Sequence, residues 1–422
     1  MLSARAWCKI FTMPEHYDIA IVGSGIVGAA MAASLADSHL NIVLIDPGQY
    51  SSEPLPDAYD IRVSAITIAS QRLFESLGVW EDIQSHRASA FTRMHVWEQV
   101  SGAAIDFDGE QMGEDLLGHI IENRVIQYYL LKKIRAATNI TFLDQSRIKS
   151  FNVQEDGRLE LLLDDKQRCV CQLMIGADGN QSRVRALAGI ETRGWQYQQS
   201  ALVATVRTEK SHQQTAWQCF LEHGPLAFLP LQDNVCSIVW STLPELADEL
   251  MQMPEAQFEE ALTDAFEHRL GAIKLEGQRA VFPLQLQYVD HYVKPGIALI
   301  GDAAHSIHPL AGQGVNLGLL DAACLADVIL EADKLGKSPG AYGVLRRYER
   351  WRKGDNMGMM MTMDAFKRLF TTQSVPLKLI RDNGIRIVDT LQPLKAMVMK
   401  SAAGMRGELP ALIRRGVKGT FK

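Results

Sequence analysis

Three turns in this sequence join glycine to a carboxylate at the end of an apolar run. The first is Gly23-Ser24-Gly25-Ile26-Val27-Gly28, followed eighteen residues on by Asp46. The second is Gly176-Ala177-Asp178-Gly179, with Ser182 and Arg185 behind it. The third opens at Gly301-Asp302-Ala303-Ala304-His305 and continues through Gly312-Gln313-Gly314-Val315-Asn316. In a G-x-G-x-x-G each glycine has a separate task. Gly23 permits a tight strand-to-helix turn, Gly25 lets backbone approach a pyrophosphate, and Gly28 lets the helix pack closely on the strand. The helix N-terminus then turns unpaired N–H groups and a partial positive charge toward phosphate. Asp46 closes the next strand, where a carboxylate can take both hydroxyls of an adenosine ribose. The chemistry indicated is the holding of a dinucleotide. The Asp178 turn has the form of a second phosphate- or ribose-facing loop, and alone it reads equally as a surface turn.

The elements that position these turns can be read beside them. Ile19 to Val22 and Asn41 to Ile45 are short, β-branched, buried-type strands around an Ala-rich helix, a βαβ unit. Residues 67–79 read as a helix ending at Gly78. Met94–Trp97 and Ala104–Phe107 read as an antiparallel pair, and Val125 to Ala136 as a helix with Ile126, Leu130 and Ile134 on one face. Residues 200–285 are strand-rich and aromatic, with one helical piece over 245–269, and such a sheet could roof an apolar pocket. Further helices are expected over 317–330, 342–363 and 376–391.

Composition is that of a globular chain: 422 residues, 47% apolar, 22% charged. No run reaches the 18 or so apolar residues of a spanning helix. The six cysteines lack metal-ligand spacing and read as free thiols of a reducing cytoplasm, so no metal is expected. The net charge of −6 gives no footing for a nucleic-acid partner. It does hide an asymmetry. Residues 395–422 hold seven Lys/Arg and one acid, which leaves 36 basic against 48 acidic residues in the rest. A basic tail with Met397, Val398, Leu409, Leu412 and Ile413 suits an interfacial segment against an anionic surface, either lipid or another protein. A solvated tail is the alternative.

The three turns, above all GDAAHSIHPLAGQGVNLG at 301–318, resemble the single-component flavoprotein aromatic hydroxylases. ENRVIQ at 122–127, WQYQQSALVATVRTE at 195–209 and RYER at 347–350 are similar to the ubiquinone-biosynthesis hydroxylases within that group, nearest the type that acts on 2-octaprenylphenol. The resemblance runs from about Tyr17 to Leu412. It implies an α/β fold with a Rossmann-like FAD-binding domain (14–80, 119–190 and 287–340). It also implies an inserted antiparallel-sheet substrate domain (81–118 and 191–286) and a C-terminal helical region (341–422). The implied reaction is ring hydroxylation of a polyprenylphenol by FAD, reduced by NADPH or NADH and reacting with O2 through a C4a-hydroperoxide. Hydroxylation of another ring position or another aromatic is left open, as is a non-catalytic FAD-binding member of a biosynthetic complex.

Residue by residue, the resemblance implies that Gly23, Gly25 and Gly28 hold the FAD pyrophosphate and Asp46 the adenosine ribose. Arg62 lies near the flavin and its phosphates, and Arg124 and Gln127 border FAD. Asp178 belongs to a loop associated with FAD and NAD(P)H, and Asp302 takes ribityl and phosphate oxygens. Gly312, Gly314, Val315 and Asn316 present helix N–H groups to the N1/O2 edge, where reduced flavin carries its negative charge. His308 either helps to remove the phenolic proton or, with His305, pins the loop. Gln313 contributes a dipole beside the flavin or fills the turn. The implied setting is cytoplasmic, with peripheral contact at the inner face of the membrane, a multi-enzyme complex or a homo-oligomer left open.

Overall fold

The computed structural model describes residues 15–51, 53, 55–100, 102–112, 114–306, 314–371, 403–404 and 407–415. The helix expected over 376–391 and the tail residues Met397 and Val398 lie outside the described residues.

The apolar runs that carry the three turns become neighbouring strands of one sheet. Its order is Val293–Lys294, Ile297–Leu299, Leu173–Gly176, Ile19–Val22, Ile42–Ile45, Ile140–Leu143. Every pairing in it is parallel except at the Val293–Lys294 edge. Four of these strands are buried along their whole length, which is why they read as continuous hydrophobic runs and not as alternating ones. The helix Ile26–Ser34 packs beside Asn123–Ala136 and Gly314–Lys334. The helix 26–34 can sit so close because Ala29, Ala30, Ala32 and Ala33 give it almost no side-chain bulk, and all four are buried. Leu159, Leu161 and Leu163, from a separate four-stranded sheet, join the same core.

The second large sheet has eight strands and is antiparallel with one exception. Arg93–Glu98 runs parallel to Thr215–Leu221, and this pairing brings the early hairpin (Arg93–Glu98 and Ala104–Asp108) into a sheet otherwise made by residues after 192. Two strands are far longer than expected: Thr192–Thr208 and Ile273–Val289 pair with each other over their length. One face of this sheet is closed by two helices, whose Leu250, Phe258, Leu262 and Phe266 meet Leu202, Phe228 and Ile238. The single helical piece expected over 245–269 is these two, Pro244–Gln252 and Glu255–Ala265, because Pro254 cannot donate to a continuing helix and starts a new one. Likewise the helix read over 67–79 is Ile68–Ser76, capped by Thr67. Gly78, at φ +69°, then turns the chain into a further helix, Trp80–Arg87.

The tail departs from expectation. Leu409 and Leu412 pack against the core of the parallel sheet and Ile413 lies inside it, 1% exposed. Trp351 donates its indole N–H to Glu408 O (3.0 Å), and Ala411 N–H donates to Asp327. These three apolar side chains are consumed by docking on the protein's own core and are not free to enter a bilayer. Among the described residues no helix is long and apolar enough to cross a membrane, and no cluster of acidic, His and Cys side chains could hold a metal ion. Cys169, Cys171, Cys219, Cys236 and Cys324 are free and buried.

Candidate active site

Parallel pairing brings the turns together. Val22 is in register with Ile45 and with Gly176, and Gly176 with Leu299. The next residues, Gly23, Asp46, Ala177 and Ile300, therefore leave the sheet at one edge, the carboxyl ends of the strands. Strand order reverses between Ile19–Val22 and Leu173–Gly176, and the crevice at such a switch is where open α/β sheets take ligands.

At the first turn the glycines divide as their spacing suggests. Gly23 has φ +103°, and a Cβ there would lie 2.4 Å from Ala177 O. A Cβ on Gly28 would lie 1.9 Å from Gly23 O. A Cβ on Gly25 meets nothing within 4 Å, so the space beside this helix N-cap is open. Asp46 is nearly buried, and its carboxylate accepts from Ser24 N–H (2.6 Å), Gly48 N–H (2.7 Å) and the Tyr50 hydroxyl (2.8 Å). A carboxylate has about four acceptor positions, so these bonds fix Asp46 and leave little capacity for a ribose. Gln127 donates to Ser24 O (2.8 Å) and so braces the same turn from the helix Asn123–Ala136.

The second turn is braced internally. Asp178 accepts from the Ser182 hydroxyl (2.5 Å) and from the N–H groups of Arg183 (2.7 Å) and Val184 (3.0 Å), which caps the helix Arg183–Leu187. Its side chain shapes the turn. Arg185 then reaches across, donating to Asn180 O (2.6 Å) and to Ala303 O (2.9 Å), which ties the second turn to the third.

At the third turn Asp302 is accessible to solvent yet ringed by protein, as a group on a cleft wall is. Desolvation raises its pKa, offset in part by His305 and Arg62. Arg62 is exposed, and its guanidinium stands 5.9 Å from the ring centre of Phe282. Phe282 shares one face of its strand with Leu284, Leu286 and Tyr288 by the two-residue period. It is 38% exposed while Leu284 and Leu286 are buried. The helix Gly314–Lys334 begins at the same turn, and a Cβ on Gly314 meets nothing within 4 Å. Val315 is half-buried beside it. Asn316 points its amide away into the protein, donating to Ala65 O (2.7 Å) and accepting from Ser70 (2.7 Å) and Thr67 N–H (3.1 Å). Its side chain anchors the helix start, where the first backbone N–H groups lack intrahelical partners. Gly312, Gln313 and His308 lie outside the described residues.

Arg124 braces the chain ahead of the helix Asn123–Ala136. It forms an ion pair with Glu122 (2.8 Å) and donates to Ala58 O, so it straps the link that carries Arg62. Sequence reasoning missed the centre of that strap. Glu122 is buried, pairs also with Arg87 (3.0 Å), and accepts from Asp60 N–H (2.6 Å). It also missed Asp321, Arg352 and Asn356, a buried polar group against His305. A signal existed for Asp321, an acid set between the apolar stretches Leu317–Leu320 and Ala322–Ala326, where it has no reason to be unless paired.

The geometry is that of a dinucleotide site of flavoprotein type: open space beside Gly25 and Gly314 at two helix starts, and an accessible carboxylate at Asp302. The comparisons agree. The FAD binding domain family matches residues 16–353. The fold is that of p-nitrophenol 4-monooxygenase from Pseudomonas putida, with TM-score 0.76 at 16% identity, over 94% of this chain and 100% of that one. PqsL of P. aeruginosa has TM-score 0.75 at 22% identity, over 88% and 100%. The chain thus belongs to the FAD binding domain family and has the fold of flavin-dependent monooxygenases. It is 38% identical to the 3-demethoxyubiquinol 3-hydroxylase of Escherichia coli, over 92% of this chain and 98% of that protein. It is 37% identical to the mouse ubiquinone biosynthesis monooxygenase COQ6, over 92% and 91%. The ubiquinone hydroxylase UbiL of Rhodospirillum rubrum is 36% identical, over 95% and 93%. The protein belongs to the ubiquinone-biosynthesis hydroxylases.

Proposed function

We propose that the protein hydroxylates the ring of a polyprenylated phenol, drawing electrons from NADPH or NADH and oxygen from O2. The observation that carries this reading is Arg62, whose guanidinium stands 5.9 Å from the ring centre of the exposed Phe282 and whose charge acts on Asp302. A cofactor edge at Asp302 and a flat apolar ring against Phe282 would meet there. Bound FAD supplies the redox chemistry and the activation of oxygen. The chain's own residues do the rest. Gly23, Gly25 and Gly28 admit the pyrophosphate to the helix start at Ile26. Asp302 accepts from ribityl hydroxyls, and the first N–H groups of Gly314–Lys334 give fixed donors for negative charge at the ring edge. The substrate domain, residues 81–118 and 191–286, lays apolar side chains over this edge and keeps water from it. His308 is our candidate for removing the phenolic proton. A His308→Ala enzyme with a parental pH–rate profile would leave it loop pinning alone.

Which ring carbon reacts is decided by one experiment, the mass of the quinone precursor that accumulates when the gene is deleted. A polyprenylphenol without further ring oxygen supports the first hydroxylation. A demethoxyubiquinol supports hydroxylation of another ring position, the reading that the name of the E. coli 3-demethoxyubiquinol 3-hydroxylase favours. Purified protein that holds FAD but shows no phenol-stimulated NAD(P)H oxidation would overturn both and leave a non-catalytic partner in a biosynthetic complex.

A further inference from the structure

Asp321 is 0% exposed in the middle of the helix Gly314–Lys334. Its Oδ2 accepts from Gly301 N–H (3.1 Å) and lies 2.5 Å from His305 Nε2. Its Oδ1 accepts from Arg352 Nε (2.8 Å) and Asn356 Nδ2 (3.0 Å), while Arg352 Nη2 donates to Asn356 Oδ1 (2.6 Å). Arg352 and Asn356 belong to another helix, Tyr342–Thr371, and both are buried. Burial pushes the Asp321 carboxyl up, but His305 and Arg352 outweigh it and hold the group well below the ordinary carboxylate range.

Such a cluster is poor value as a source of stability, since well-packed apolar side chains of similar volume serve as well or better. Its placement is informative. Asp321 grips Gly301 on one side and His305 on the other, so the residues on both flanks of Asp302 are fixed by one carboxylate. Glycine suits this position: its φ of +58° is one that glycine adopts freely, and Val27 lies 3.2 Å from where a Cβ would stand. Asp321 is fixed in turn by the Arg352 fork. We propose that Arg352 is a positioning residue that acts through Asp321 to aim Asp302 at the cofactor. It puts control of the flavin edge on a second helix. This rests on the reading above that Asp302 meets FAD.

The test measures the FAD Kd by fluorescence titration, the bound-flavin absorption spectrum and thermal unfolding of the apoprotein. The variants are Arg352→Gln, Arg352→Lys, Asp302→Ala and Trp351→Phe. Trp351 is the neighbour whose indole N–H donates to Glu408 O in the docked segment. Arg352→Gln should raise the FAD Kd at least tenfold and shift the spectrum. Arg352→Lys, which keeps a charge opposite Asp321, should lie between it and the parent. Trp351→Phe should lower the unfolding temperature with Kd and spectrum unchanged. If Arg352→Gln does not fold, the Lys variant carries the test. Parental Kd and spectrum in the folded Arg352 variants would overturn the proposal, as would a loss no greater than that of Trp351→Phe at equal apoprotein stability. If instead Asp302→Ala keeps a parental Kd, the underlying placement of FAD is what fails.

Discussion

Gly25 and Gly28 stand three residues apart under opposite constraints. At Gly28 added atoms collide with the Gly23 carbonyl, so Gly28→Ala should damage the fold itself, seen as a lowered apoprotein unfolding temperature. At Gly25 the backbone is at φ −58° and the space is open, so Gly25→Val should fold normally and lose its flavin. We expect at least a tenfold drop in FAD per purified chain, read from the flavin absorbance, with a parental apoprotein unfolding curve. A Gly25→Val protein with full flavin content would put the pyrophosphate elsewhere. The glycines and carboxylates of the turns were legible in the sequence because spacing fixes their geometry locally. The partners of His305 were not. Asp321 and Asn356 are brought to it from two separate helices, and no local pattern announces that.

At the scale of elements, buried strands announce themselves by continuous apolar runs, and four of the five parallel strands fall where such runs stand, the exception being the half-buried Ile140–Leu143. Element length and pairing partner were less legible. The parallel pairing of 93–98 with 215–221 joins residues more than a hundred positions apart, and strand chemistry is the same for either neighbour. One buried group on such a strand sets a pH response. His119 on Gly118–Glu122 packs edge-on to Trp80, and its Nδ1 has no hydrogen-bond partner among the described residues. Desolvation pushes its pKa down to about 4. Unfolded, the imidazole titrates near 6.5, so between about 6.5 and 4 the unfolded chain binds more protons and stability falls as pH is lowered. From pH 8 to pH 5 this group should cost about 2 kcal/mol. His119→Leu should lose correspondingly less over that interval in denaturant titrations. An unchanged difference between the two pH values would mean that His119 is not neutral inside the fold.

The whole molecule closes on itself through its last described segment. Ala69 N–H donates to Ala403 O (3.4 Å), Gly404 rests against Ala69 and Thr67, and Ile413 fills the FAD-side core. Ile413→Ala should therefore destabilise by about 3 kcal/mol, a core-truncation cost, measured by chemical denaturation of the apoprotein. A change under about 0.5 kcal/mol would be that of a surface position and would mean the segment is not docked. Composition could show that this stretch was basic and partly apolar. It could not show which side the apolar residues face, because Ile413 is equally suited to a core and to a membrane.

The parallel sheet has a consequence for how the protein is made. Its strands come from residues 19–22, 42–45, 140–143, 173–176 and 297–299, and the helix that starts beside Asp302 follows at 314–334. A ribosome adds about 5–20 residues per second, so the opening βαβ unit waits many seconds for the rest of its sheet. Throughout that time its first phosphate turn exists without Asp302, Arg185 has no Ala303 to reach, and apolar strand edges lie unpaired. Flavin capture is thus a late event of synthesis. A nascent chain stalled short of residue 297 should bind no FAD and should depend on chaperones to stay in solution.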